Sequence, residues 1–132
     1  MRWLWISSYD LISQKFVEGW DIYMYQHLAS PLCMLSSQLR HMDRQEEALE
    51  AMQEAVELYR QLAADRPAAF NPLLALSLNN LSLCLSDLHH QEDAVKAIQE
   101  AVNLYKQLAA ERPTIFSSHL ERALRILSKL ST

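Results

Sequence analysis

The chain writes one phrase twice. Residues 45–70 read QEEALEAMQEAVELYRQLAADRPAAF, and residues 91–116 read QEDAVKAIQEAVNLYKQLAAERPTIF, 46 residues later. Ala48, Ala51, Ala55, Val56, Leu58, Tyr59, Leu62, Arg66, Pro67 and Phe70 return as Ala94, Ala97, Ala101, Val102, Leu104, Tyr105, Leu108, Arg112, Pro113 and Phe116. Self-similarity at a fixed period of a few tens of residues marks a stacked repeat, in which each unit buries its apolar face on its neighbours.

The period within each phrase is helical. Ala48, Met52, Ala55, Tyr59 and Leu62 form one stripe, and Glu47, Glu50, Glu54 and Glu57 fall opposite. That pattern predicts a helix over about 44–64, packed on its flanks and wet on one face, and a copy over about 91–110. A first helix is expected over about 31–42, from the stripe Leu28, Leu32, Leu35, Leu39 and Met42. Its counterpart over about 72–88 carries Leu74, Leu78, Leu81, Leu85 and Leu88 at the same offset, with Leu73, Leu76, Leu83 and Cys84 adding apolar surface all round. Asn71-Pro72 reads as the start of that helix, Asp43 with Glu46 as a capping box, and Ser118 with Glu121 as another that opens a last helix over about 118–131. Arg66-Pro67 and Arg112-Pro113 read as helix ends, since the residue before proline is pushed out of the helical region. The expected fold class is all-α: two full helix pairs, about 28–70 and 74–116, and a half-repeat, 118–131, whose polar outer face caps the stack.

Residues 1–27 match the repeat poorly. Trp3, Trp5, Ile6, Tyr9, Ile12, Phe16 and Trp20 can line one side of a helix. Sliding back one period puts Ile6, Tyr9, Ile12 and Phe16 on apolar positions of the repeated helix. Two readings stand: a degenerate second helix of an earlier repeat, or a non-repeat leader that caps the first pair.

A single Gly, half apolar residues and a net charge of −4 suit a helical globular chain and argue against general phosphate-backbone binding, so no nucleic-acid partner is expected. No apolar run is judged long enough to span a bilayer, no membrane partner is expected, and the N-terminus lacks a signal-peptide pattern. Cys33 and Cys84 lie within apolar helical patterns and read as buried, reduced thiols of a cytoplasmic protein. His27, His41, His89, His90 and His119 make no zinc spacing with them, and no local motif suggests a nucleophile with its base. Neither enzyme activity nor a cofactor or metal is expected.

A repeated, stacked helix pair resembles the tetratricopeptide repeat (TPR). Ala48 and Ala94 stand at that family's small residue opening the second helix, Ala55 and Ala101 at its second small residue, Leu35 and Leu81 at its first-helix leucine, and Pro67 and Pro113 at its closing proline. The departures are Leu32 and Leu78 for its aromatic, Ser36 and Ser82 for its first-helix Gly, Asp43 and His89 for its Gly between helices, and a longer period. Leu78–Ser82 and the long second helix resemble kinesin light chain, and the EEALEA phrasing is similar to the long arrays of fungal and cyanobacterial signalling NTPases, although no Gly-rich phosphate loop is present. The resemblance covers residues 28–131. It implies a right-handed superhelical α-solenoid whose first helices line a concave groove.

By that resemblance, the peptide-touching positions are Ser30, Cys33, Met34, Ser37 and Arg40, then Leu76, Asn79, Asn80, Leu83 and Ser86, then Arg122, Arg125, Ile126 and Lys129, with Thr132 at the end. Asn side chains suit an extended peptide backbone, and Arg122, Arg125 and Lys129 suit carboxylates. The expected function is a non-enzymatic scaffold or adaptor that holds a peptide or partner protein, an acidic one, in this groove. The alternatives are a self-association module, joined through the leader or the open stack end, and a fragment of a larger signalling NTPase.

Overall fold

The computed structural model describes residues 33–132. These form an all-α stack with no strand among them. Helix α1 is described over 33–41. It is followed by α2 (Gln45–Asp65), α3 (Pro67–Asp87), α4 (Gln91–Glu111) and α5 (Pro113–Ser131). Each of α3, α4 and α5 packs on the one before it, so the chain is an α-solenoid of antiparallel helix pairs.

The repeated stripe makes the core. Met52, Ala55, Val56 and Tyr59 of α2 are buried with Leu58 and Leu62, and Ile98, Ala101, Val102 and Tyr105 of α4 repeat the first four, while Leu104 and Leu108 are half-buried. Each large apolar side chain so buried contributes roughly 1.5–3 kcal/mol. Ala48, Ala55, Ala94 and Ala101 are fully buried, and their lack of bulk lets neighbouring helices approach.

The two kinds of connection are set by different residues. After α1 and α3 the chain turns through a left-handed residue, Asp43 (φ 60) and His89 (φ 62). The N–H of Arg44 bonds the carbonyl of Leu39 at 2.9 Å and that of Asp43 bonds Arg40 at 3.2 Å. His90 to Leu85, at 2.9 Å, and His89 to Ser86, at 3.0 Å, copy the pair. This is the six-to-one, five-to-two closure of a helix C-terminus, which usually takes Gly. The expected Asp43 capping box is therefore corrected: Asp43 closes α1, and Arg44 is the N-cap of α2 with no side-chain cap bond.

After α2 and α4 one extended residue suffices. Arg66 (φ −134, ψ 78) ends α2 and opens α3, and Arg112 (φ −136, ψ 74) does the same between α4 and α5. Proline then takes the first helical position, where its missing N–H costs nothing. The expected starts at Pro72 and Ser118 are thus about one turn late. Pro72 lies inside α3 and Ser118 inside α5, so neither Asn71 nor Ser118 is a cap. Pro72 cannot donate to the carbonyl of Ala68, four residues back.

Leu39 is buried, but Leu35 (45 % exposed) and Met42 (62 % exposed) are not, contrary to the expected stripe. Ser30, Leu28, Leu32 and the whole 1–27 segment lie outside the described residues. Helix α3 is long and apolar enough, by length and composition, to cross a bilayer. Half of that stretch is buried, as a helix packed on both sides by α2 and α4 requires.

Candidate functional site

The first helices lie side by side. Cys33 Sγ approaches Ser77 Oγ at 3.8 Å, Ser36 Oγ meets Cys84 Sγ at 3.5 Å, and Arg40 Nε donates to Asp87 Oδ2 at 2.6 Å. These contacts climb both helices together, so α1 and α3 run parallel at one register. Small residues permit the approach. Ser36 and Ser82, where the resembled family has Gly, are both buried. Ser36 Oγ donates to the carbonyl of Ala48 at 3.0 Å and ties α1 to α2, while Ser82 Oγ donates to Asn79 O in its own helix at 2.6 Å.

The candidate groove residues divide into four states. Ser37, Arg122, Arg125 and Lys129 are exposed. Cys33, Asn80 and Leu83 are half-buried. Asn79 is 7 % exposed, and its side-chain amide has no hydrogen-bond partner among the described residues. Arg40 is committed: its Nη2 also donates to Asp87 Oδ1 at 3.3 Å, and the bonded carboxylate holds the guanidinium more firmly in its charged form. Sequence reasoning missed this pair because its partners lie 47 residues apart on different helices.

Both thiols are free. Burial raises the Cys33 thiol above its ordinary pKa, opposed by the Ser77 hydroxyl. Burial likewise raises Cys84, opposed first by Ser36 and then by the Arg40 charge. Both therefore stay protonated and behave as small apolar groups.

Charge separates the two sets of helices. The second helices, α2 and α4, carry ten carboxylates and three cations. The described first helices, α1, α3 and α5, carry two carboxylates, Asp87 and Glu121, and four cations, Arg40, Arg122, Arg125 and Lys129. With Asp87 occupied by Arg40, the uncommitted charge of the first helices is positive and lies on α5.

A cleft of about 340 Å³ opens elsewhere, where α3 and α5 begin, lined by Pro67, Asn71, Pro72, Leu108, Arg112 and Phe116 among others. The Phe116 ring leans on His119 (6.2 Å between centroids), which stacks on Tyr105 at 5.6 Å. The only trace of this cleft in the sequence is the spacing of Pro67 and Pro72.

The geometry defines a class: a stacked helix-pair repeat protein, with a face of parallel first helices and an opposite face of acidic second helices. A family model described as anaphase-promoting complex subunit 5 matches residues 6–71 and again residues 69–112. The chain belongs to this family. No curated protein and no solved structure matches it.

Proposed function

We propose that this chain is a non-enzymatic interaction scaffold of the cytoplasm, built as a tetratricopeptide-like array, that holds an acidic segment of a partner protein along its first helices. The observation that carries this reading is the division of charge: uncommitted cations on α5 beside the first helices, carboxylates on α2 and α4. Opposite potentials steer an acidic chain to one face and repel it from the other. Asn80, half-buried, supplies an amide for a peptide backbone, and Arg122 and Arg125 supply planar donors for carboxylates, whereas Asn79 is buried in the helix packing. Arg40 orders the groove wall through Asp87 rather than meeting the ligand. The family's description names a subunit of a complex, which supports a role carried out through protein partners.

The test is fluorescence anisotropy of a labelled oligoglutamate peptide. Binding that weakens with salt and is lost in Arg122→Glu/Arg125→Glu, with the helical circular dichroism unchanged, is the expected result. Equal binding by the wild type and the double variant contradicts the proposal.

A further inference from the structure

Helix α1 shows an apolar face that α3 does not. Leu35 is 45 % exposed and Met42, in the turn after α1, is 62 % exposed, whereas their counterparts one period on, Leu81 and Leu88, are each half-buried. The difference has a location. Leu81 packs with Leu49 of α2 on a small cluster formed by Leu85, Ala94 and Ala97. The corresponding positions one period back are Leu39, Ala48 and Ala51, all buried, with Leu35 at the place of Leu81. The place of Leu49 then falls to residue 3, which is Trp3.

The rest of the segment continues that register. Ile6, Tyr9, Ile12 and Phe16 correspond to Met52, Ala55, Leu58 and Leu62, the four being 0, 0, 0 and 1 % exposed in α2. Gly19, the single glycine, corresponds to Asp65, the last residue of α2. The first family match runs without a break from residue 6 to residue 71, so it spans most of this segment and the α1–α2 pair in one stretch. Three positions depart: Arg2, Trp5 and Tyr9 stand where Ala48, Ala51 and Ala55 allow close approach. Asp10 also replaces buried Val56.

We propose that the apolar face of α1 is the docking surface for this chain's own residues 3–18, seated in the place of a second helix before α1, with Trp3 against Leu35. The register follows α2.

All three tryptophans, Trp3, Trp5 and Trp20, lie in or beside this segment, so tryptophan emission, excited beyond the tyrosine band, reports on it alone. The experiment uses the full chain with Trp5→Phe and Trp20→Phe, leaving Trp3. The expected spectrum is blue-shifted, poorly quenched by iodide and independent of protein concentration. Leu35→Asp should move it to the red and restore quenching while the helical circular dichroism of the stack persists. A second pair of variants tests register without touching α1. Ile12→Glu, at the place of buried Leu58, should release Trp3, whereas Leu11→Glu, at the place of exposed Glu57, should not. A Trp3 already exposed in the full chain overturns the proposal, as does an equal response to the Leu11 and Ile12 changes. A blue shift that grows with concentration assigns the face to a second copy and overturns it equally.

Discussion

Arg60 on α2 and Glu100 on α4 form a two-point ion pair across the stack, with Nη1 and Nη2 donating to the two carboxylate oxygens at 2.5 and 2.9 Å. Glu57, one turn before Arg60, adds a second carboxylate at 4.0 Å. The pair joins the second helices of successive repeats, and it holds Arg60 more firmly charged. Both groups are about 40 % exposed, so water and salt screen them. A double-mutant cycle with Arg60→Ala and Glu100→Ala should give a coupling of about 0.5 kcal/mol at low salt, fading in molar salt. A coupling unaffected by salt contradicts this account.

The buried alanines should tolerate no bulk. Ala101→Leu places a larger side chain at a fully buried position between helices and should cost about 1–3 kcal/mol in urea unfolding. Ala110→Leu, exposed near the end of the same helix, should stay within about 0.5 kcal/mol of wild type.

The turns after α1 and α3 offer the opposite result. Asp43 and His89 sit at φ 60 and 62, where a Cβ is unfavourable and Gly is not. His89→Gly should raise stability by about 0.5–1 kcal/mol despite the extra freedom Gly gives the unfolded chain. His89→Val, β-branched and ill suited to that backbone, should lower it. The melting temperatures of the two variants should bracket that of wild type.

Tyr105 carries a pH dependence. Burial pushes its phenol up to about 12, opposed by the Arg122 charge, against an ordinary value of about 10. The folded state thus favours the neutral phenol. That stability is fully present below the unfolded pKa and is lost as pH rises through the folded one, between about 10 and 12. The loss amounts to up to about 3 kcal/mol. Tyr105→Phe should remove this step from the alkaline unfolding profile.

The 46-residue recurrence made the helix pairs, their order and the buried stripe of α2 and α4 legible, because both bury the same alanines, Met52 or Ile98, and Tyr59 or Tyr105. The helix starts were not legible. Asn71-Pro72 and Arg66-Pro67 offer the same local signal, and only the packed structure shows that Pro67 opens α3 and Pro72 rides inside it. Asp43 with Glu46 has the letters of a capping box, but the backbone spends Asp43 on the left-handed turn. In the candidate groove, the exposure of Arg122, Arg125 and Lys129 followed from their place on the polar side of α5. The burial of Asn79 and the capture of Arg40 by Asp87 did not, since both depend on how α1 and α3 meet.

The most direct measurement is an isotope-labelled NMR titration of the full chain with an oligoglutamate peptide. Shifts are expected along the first helices, at Ser37, at the side-chain amide of Asn80, and at Arg122 and Arg125, with α2 and α4 unmoved at their acidic faces. Shifts confined to the acidic second helices or to the cleft at Asn71 and Arg112, or no shifts at all, would contradict it.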